Sequence, residues 1–219
     1  MATFLLFIRK SFSMPEGPSI LLMKENLQSF TSEKVLEATG NAKFEKEPLV
    51  GKTLLEIRTF GKQTYLVFDE FCVRIHLLMF GSYSIDEQTK PDKSLRLALK
   101  FGKGSLFFYT CSVKLLPIEH LSQIDWEADV LNDDWNPKKA AKKLKLKPEM
   151  MICDALLDQD IFSGVGNIIK NEVLFRIGVH PESLIGSLPP KKLKELIAEA
   201  KNYSFDFLEW KREFVLKKH

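Results

Sequence analysis

The chain has 219 residues, of which 45% are hydrophobic, and its formal net charge at pH 7 is only +3. This composition excludes an intrinsically disordered protein, and the length is sufficient for one large domain or two smaller ones. The charge is uneven, because residues 1–135 carry 16 basic and 18 acidic side chains whereas residues 136–219 carry 16 and 11. The basic C-terminal part suggests a polyanionic partner.

The N-terminal segment MATFLLFIRKSFS has its longest apolar run at residues 4–8, which is far too short to cross a bilayer. No secretory cleavage site follows this run. We interpret residues 1–13 as an extension, and we favour a misassigned start or a cloning remnant over a transit peptide. The three cysteines are widely spaced and show no zinc-ligand pattern, which predicts a reduced intracellular compartment; they are Cys72, Cys111 and Cys153.

Two prolines flank a glutamate in the stretch MPEGP, residues 14–18. Proline is favoured in the first turn of a helix, and the residues that follow are apolar at helical spacing. The pattern therefore predicts one amphipathic helix directly after this stretch, with its apolar face formed by Ile20, Met23, Leu27 and Phe30.

Short alternating runs rich in β-branched and aromatic residues follow, from about residue 34 to residue 117. Asp69-Glu70 and Gly102-Lys103-Gly104 separate neighbouring runs and predict hairpin turns. We expect an antiparallel sandwich or barrel whose strands lie within 53–60, 63–69, 71–78, 95–101, 105–110 and 113–117.

Helical spacing replaces the alternation beyond Trp126, which places the boundary between a β domain and a helical domain near residues 126–136. Asn136 and Ser187 stand where N-caps are expected. The predicted helices lie within 136–147, 148–160, 166–178 and 188–214. The lysine-rich segment 138–147 is typical of a solvated helix face, with phosphate binding as the alternative.

A glycine turn precedes the third of these helices. Gly164 and Gly166 come before Asn167, and the helix is predicted to bury Ile168, Val173 and Leu174. A turn of this kind presents backbone N–H groups at a helix N-terminus, which is an anion site, although many such turns are only structural.

Four motifs resemble those of the formamidopyrimidine-DNA glycosylase and endonuclease VIII family. GVGNI, Glu172 and GVHPESL are similar to its helix-two-turn-helix element, and MPEGP is similar to its N-terminus in the endonuclease VIII form. FGKQTYLVF resembles the strand that carries the family's lysine, and HLLMFG resembles its HLxMxG loop. The motifs occur in the family's order from Met14 to about Lys218.

The resemblance implies an α+β fold. Residues 14–130 are expected to form an N-terminal antiparallel β-sandwich with flanking helices, which is the catalytic domain. Residues 131–219 are expected to form a C-terminal helical domain with the helix-two-turn-helix motif, and the cleft lies between the two.

The resemblance also implies the chemistry. Pro15, as the N-terminal residue, is the nucleophile that attacks a sugar C1′, since a free α-amino group is partly unprotonated at neutral pH. Glu16 is the acid and base that protonates the sugar oxygen. Lys62 is a cation that binds the phosphate beside the lesion. Without the family motifs, PEGP is only a turn before a helix and Lys62 is only a solvated surface lysine.

DNA contacts are implied for the glycine turn and for the HLLMFG loop. Asn167 and the N–H groups of its turn, at Gly164 and Gly166, are expected to bind a phosphate, with Lys170 as a helper. Met79 is the apolar wedge that enters the base stack when the damaged nucleotide turns out; its alternative is a core position at a strand end.

The chain departs from the family pattern at several places. Residues 1–13 precede the proline, and an amide nitrogen is not nucleophilic. No cysteine follows Cys153, so we expect no zinc, no C-terminal zinc-finger hairpin and weakened DNA binding. Ser19 replaces a glutamate of the formamidopyrimidine branch, and YTCSVKLL replaces an arginine–phenylalanine wedge, which favours oxidised pyrimidines over 8-oxoguanine. Ile169 replaces a frequent tyrosine, which we interpret as packing variation.

We therefore predict a bifunctional DNA glycosylase and abasic-site lyase that needs no cofactor. Its partner is double-stranded DNA with oxidised bases or abasic sites, and it acts as a monomer in the cytoplasm, at a bacterial nucleoid in preference to an organelle or nucleus. The first alternative is a non-catalytic relative that binds damaged DNA but has no usable amine. The second is an RNA-binding protein with a similar helix-two-turn-helix, which would need neither MPEGP nor Lys62.

Overall fold

The computed structural model describes residues 15–216, with side chains described through residue 213. The predicted extension at residues 1–13, Met14 and residues 217–219 lie outside this described part. Its helices are α1 (Gly17–Leu27), α2 (Pro137–Lys145), α3 (Ile152–Leu157), α4 (Asn167–Ile177) and α5 (Pro190–Leu216). Its strands are β1 (Glu37–Thr39), β2 (Glu56–Phe60), β3 (Gln63–Val67), β4 (Phe71–His76), β5 (Ser82–Ile85), β6 (Leu95–Phe101), β7 (Gly104–Tyr109) and β8 (Ser112–Pro117).

The strands form two four-stranded antiparallel sheets, with the orders β1-β6-β7-β5 and β2-β3-β4-β8. Apolar residues of both sheets pack into one core, to which α1 adds Ile20, Met23 and Leu27. Alternate residues of each strand point to the same face of a sheet, so the period of two in the sequence becomes an apolar inner face. The predicted α1 face is confirmed, since Phe30 is also buried here.

Each of the six predicted runs contains a strand, and the turn at Asp69-Glu70 is confirmed between β3 and β4. The second turn is shorter than predicted, because Gly104 already belongs to β7 and pairs with Phe101. The sequence pattern did not identify β1 and β5, which are short and whose inner residues, Ala38, Tyr83 and Ile85, are only partly buried against the core.

Each of the predicted helical segments likewise contains a helix. Asn136 is the N-cap of α2, and its side chain accepts hydrogen bonds from the amides of Lys138 and Lys139. The prediction for Ser187 is wrong, because α5 begins only at Pro190 and the Ser187 hydroxyl donates to the carbonyl of Leu184. The prediction for Ile168 is also wrong, since Ile169 is buried in its place.

A second core joins the helices α2 to α5 with the segment that precedes them, and Leu21 of α1 packs against it. Helix α1 thus contacts both cores, with Ile20 in the first and Leu21 beside the second. The predicted α+β class with an antiparallel sandwich and a helical C-terminal part is confirmed, whereas the division at residue 130 stays a prediction. No helix in residues 15–216 combines the length and the apolar composition that a bilayer crossing requires.

Candidate functional site

The PEGP stretch lies against the glycine turn that precedes α4. The amide of Gly17 donates to the carbonyl of Gly164 over 2.8 Å. A Cβ atom on Gly17 would lie only 3.0 Å from the Cα of Gly164, so the two backbones approach as closely as glycines allow. This contact fixes Pro15 and Glu16 beside the N-terminus of α4.

Glu16 uses its carboxylate to cap α4 and not its own helix. Its two oxygens accept hydrogen bonds from the backbone amides of Gly166 (3.2 Å), Ile168 (2.8 Å) and Ile169 (3.2 Å). The first amides of a helix have no partner within the helix, and the helix dipole favours an anion there. Glu16 is therefore an acid held at a fixed position by a helix that lies far away in sequence.

Burial has the largest effect on the pKa of Glu16. Only 1% of the residue is exposed. Burial raises the pKa of its carboxyl from the ordinary value, although the three amides and the charge of Lys62 act in the opposite direction. A raised pKa suits a group that must hold and release a proton near neutral pH.

Lys62 lies in the tight turn between β2 and β3, beside Gly61. Gly61 has φ +56°, a left-handed conformation that favours glycine. Burial lowers the pKa of the Lys62 ammonium from its ordinary value, and the Glu16 carboxylate opposes this effect. The prediction of a lysine in a turn is confirmed, but this lysine is partly buried and faces Glu16.

One cavity of about 520 Å³ brings the predicted residues together. We call it the cleft, and its lining includes Pro15, Glu16, Lys62, Met79, Gly166 and Asn167. These residues come from the PEGP stretch, the β2–β3 turn, the loop after β4 and the start of α4. Gly164 and Lys170 do not line the cleft.

The backbone of the glycine turn is already hydrogen-bonded. The amide of Gly164 donates to the side-chain oxygen of Gln159 over 3.1 Å, and the amide of Gly166 donates to Glu16. The expectation that these two N–H groups bind a phosphate stays a prediction, and both amides already have partners within the protein. The exposed Asn167 side chain remains available, and its oxygen accepts from the ammonium of Lys170 over 3.0 Å.

Met79 lies in the loop that joins β4 to β5, and 56% of it is exposed. The preceding residue, Leu78, has φ +56°, and its amide donates to Nδ1 of His76 over 2.9 Å. The alternative of a core position is wrong for Met79, since a core residue would be buried. The loop instead presents an apolar side chain at the cleft.

Among the polar residues of the cleft that the sequence analysis missed are His76 and Gln159. Burial lowers the pKa of His76, and the charges of Lys62 and Arg74 lower it further, so the imidazole is neutral near pH 7. Gln159 donates to the carbonyls of Leu157 and Val165 as well as accepting from the glycine turn. The sequence signal for each was its place in a quoted stretch, since His76 begins HLLMFG and Gln159 lies in DQDIFSGVGN.

The cysteines do not form a zinc site. Cys72 and Cys111 are buried, and burial raises the pKa of both thiols, that of Cys111 to about 11. Within residues 15–216 no group of three or more His, Cys, Asp or Glu side chains is placed to hold a metal ion. The zinc that the family resemblance implies therefore has no fitting ligands among the described residues.

The connection between β7 and β8 consists of only Thr110 and Cys111. Thr110 donates its amide to the carbonyl of Ser94, and Cys111 is buried in the sandwich core. This tight turn is where the family resemblance would place an arginine–phenylalanine wedge. Neither residue lines the cleft.

Comparisons with known proteins agree with this arrangement. Residues 14–114 match the formamidopyrimidine-DNA glycosylase N-terminal domain, and residues 127–205 match the formamidopyrimidine-DNA glycosylase H2TH domain. Endonuclease 8-like 3 of Mus musculus is 31% identical over 157 residues, which cover 69% of this chain and 26% of that protein. Formamidopyrimidine-DNA glycosylase of Bacillus subtilis is 29% identical over 210 residues, which cover 86% of this chain and 76% of that protein.

A solved structure, the wild-type Lactococcus lactis Fpg (MutM) in complex with an oxidised pyrimidine-containing DNA, superposes with a TM-score of 0.78. The match covers 89% of this chain and 80% of that one at 23% sequence identity, so it shows the shared fold alone. The chain spans about a quarter to a third of the length of the endonuclease 8-like 3 proteins that it matches.

Proposed function

The chain belongs to the formamidopyrimidine-DNA glycosylase and endonuclease VIII family, and on this premise we propose that it is a base-excision DNA glycosylase and abasic-site lyase. The observation that carries the proposal is the convergence of Pro15, Glu16, Lys62 and Asn167 on one cleft. An amine, an acid and a cation within one cavity are the groups that imine chemistry on a sugar beside a phosphate requires.

The reaction begins when the lone pair of the Pro15 nitrogen attacks C1′ of the damaged nucleotide. The bond between C1′ and the base breaks, and the base leaves with the bonding electrons and takes up the proton that the Pro15 nitrogen loses. Glu16 donates a proton to the ring oxygen of the sugar, which opens the ring and leaves an iminium between Pro15 and C1′. Burial raises the pKa of this carboxyl above its ordinary value, which favours the protonated form that acts as the acid.

The iminium then acts as an electron sink. Removal of a proton from C2′ expels the 3′ phosphate, and a second elimination expels the 5′ phosphate. Water hydrolyses the remaining imine and restores the amine. Lys62 supplies the positive charge that holds a phosphate beside C1′, and Asn167 with Lys170 holds another part of the strand.

All of these steps require a free amine at Pro15. In a peptide bond to Met14 the nitrogen is conjugated with a carbonyl and cannot attack. The acting polypeptide therefore begins at Pro15, as it would after synthesis from Met14 and removal of the methionine.

We propose that oxidised pyrimidines are released in preference to 8-oxoguanine. Ser19 stands where the formamidopyrimidine branch has a glutamate, and the two-residue β7–β8 turn supplies no second wedge.

A cleavage assay tests the proposal. We expect the polypeptide that begins at Pro15 to cleave a duplex with thymine glycol about tenfold faster than one with 8-oxoguanine. The matched control is the 219-residue polypeptide, in which Pro15 is acylated and cleavage should be lost. Faster release of 8-oxoguanine would contradict the assigned specificity.

The second candidate is a non-catalytic protein that binds damaged DNA through Met79 and Asn167, which line the cleft and need no free amine. It predicts that both polypeptides bind a duplex with an abasic site equally well and that neither cleaves it.

A further inference from the structure

Asp129 lies where the β2–β3 turn meets the segment that leads into the helical part. One carboxylate oxygen accepts the amide of Gly61 over 2.8 Å, and the other accepts the amide of Leu131 over 2.9 Å. Only 4% of the residue is exposed. Asp129 forms no ion pair with any described residue. Its two oxygens accept from backbone amides, one in the β2–β3 turn and one in its own segment.

The backbone around Asp129 is tightly packed. Its segment pairs with Ser163. The amide of Val130 donates to the carbonyl of Ser163, and the amide of Ser163 donates to the carbonyl of Ala128. A Cβ atom on Gly61 would lie 2.1 Å from Oγ of Ser163. The turn that carries Lys62 thus rests directly on the strand-like segment next to the glycine turn.

We propose that Asp129 is a positioning residue that holds the Gly61-Lys62 turn against the helical part and thereby fixes the Lys62 ammonium opposite Glu16. Among the described residues, the Gly61 amide is the only backbone donor of that turn that reaches a side chain of the segment leading into the helical part, and Lys62 follows it immediately. Because Lys62 is proposed to bind a DNA phosphate, Asp129 also supports DNA binding through Lys62, and this consequence rests on the proposed function.

Burial at this site disfavours the charged form of an acid. Burial raises the pKa of Asp129 to about 6, although the hydrogen bonds from Gly61 and Leu131 lower it. An asparagine could accept only one of the two amides, because its nitrogen would face the other donor. A carboxylate is the small side chain that satisfies both amides at once.

The first test measures Lys62 itself, in the 219-residue chain. Competitive acylation of lysines across pH, read by mass spectrometry, gives the pKa of the Lys62 amine, which burial lowers in the wild type. In Asp129→Asn we expect the midpoint to move up towards the ordinary value, as the turn detaches and Lys62 becomes solvated. Asp125→Asn is the matched control, because Asp125 lies in the same segment but pairs with Lys139 and Lys143. An unchanged Lys62 midpoint in folded Asp129→Asn would overturn the proposal.

The second test is a double-mutant cycle on the affinity for a duplex with a tetrahydrofuran abasic-site analogue. If Asp129 acts through Lys62, Asp129→Asn weakens binding several-fold, and adding it to Lys62→Gln weakens binding no further. Additive losses would show that Asp129 affects binding by another route and would overturn the assigned role.

Two further outcomes are also decisive, and the second distinguishes this proposal from the proposed function. If Asp129→Asn does not fold, amide hydrogen exchange in the wild type decides: the Gly61 amide must be strongly protected, and rapid exchange would overturn the proposal. If the polypeptide that begins at Pro15 cleaves no DNA but the pKa of Lys62 still rises in Asp129→Asn, the proposed function fails. The positioning role of Asp129 is then supported on its own.

Discussion

Glu16 accepts hydrogen bonds from three amides that lie 150 to 153 residues later in the chain. The sequence predicted an acid beside Pro15, but it carried no sign that this acid also caps α4. The reason is physical, because the partners are backbone N–H groups, which every residue except proline offers. One side chain thus serves the chemistry and ties the N-terminal stretch to the helical part.

Replacing Glu16 by glutamine should therefore affect both stability and reaction. A glutamine offers one acceptor oxygen and turns its NH₂ group towards donors, so we expect a loss of about 1–3 kcal/mol in the free energy of unfolding. Cleavage by the polypeptide that begins at Pro15 should fall by about 100-fold or more, as the acid is lost. Urea denaturation and a cleavage assay measure the two effects.

The exposed Glu149, which lies outside the cleft, provides the matched control for this substitution. Glu149→Gln should leave both quantities nearly unchanged. If Glu16→Gln behaved like Glu149→Gln, the carboxylate would have neither of the assigned roles.

A second residue-scale prediction concerns Gly166. A Cβ atom there would lie 2.4 Å from Cδ of Glu16, so Gly166→Ala must displace the carboxylate. We expect a large loss of cleavage together with a lower melting temperature. Gly102→Ala is the control, since its Cβ would meet only the carboxylate of Glu33 at 3.5 Å. Wild-type cleavage by Gly166→Ala would contradict the described contact.

At the scale of elements, the loop between β4 and β5 presents Met79 to solvent at the cleft. We expect Met79→Ala to reduce the turning out of a damaged nucleotide, because an apolar wedge offsets part of the lost stacking. Fluorescence of 2-aminopurine placed beside an abasic site should rise less on binding to this variant. The free energy of unfolding should change little, as the side chain is exposed.

Leu146 is a suitable control for Met79, because it is also an exposed apolar residue and does not line the cleft. Leu146→Ala should give the wild-type fluorescence response. Equal responses from Met79→Ala and the wild type would remove Met79 from the DNA interface.

Strands and helices with strong periodicity could be predicted from the sequence, as β6 and α5 show. The sequence failed where tertiary contacts decide. Strand β5 is short, its inner residues Tyr83 and Ile85 are only partly buried, and its backbone pairs with β7. In α4 the buried residues are Ile169, Val173 and Leu174, so the core face lies one residue away from the predicted Ile168.

At the scale of the whole molecule, Asp129 links stability to pH. Its pKa is about 6 in the folded protein against an ordinary value of 3.8, so the folded state binds its proton more readily than the unfolded state. The stability from this group is present below pH 3.8 and is lost as the pH rises through about 6. Glu16 acts in the same direction, since burial raises its pKa too.

Asp129→Asn removes this titration. We expect the wild type to gain on the order of 1 kcal/mol relative to the variant when the pH falls from 7.5 to 5. Urea denaturation of both proteins at the two pH values measures this difference. A constant difference would show that Asp129 does not titrate in this range.

The members of the cleft could be predicted from the sequence, but its assembly could not. Pro15, Lys62, Met79 and Asn167 each stood in a motif that resembled the family. Gly17 and Gly61 stood in quoted motifs, but the backbone and side chains that they contact, and the buried Asp129, carried no local signal. The amide of Gly166, in the glycine turn, donates to Glu16 through such a long-range contact.

The central claim is that the nitrogen of Pro15 forms a covalent bond with C1′ of a DNA sugar. Borohydride reduction during incubation with a duplex that contains an abasic site, followed by mass mapping of the crosslinked peptide, measures this bond directly. We predict a stable adduct on Pro15 for the polypeptide that begins there and none for the 219-residue polypeptide. No adduct from the first, or an adduct on Lys62, would contradict the assignment of Pro15 as the nucleophile.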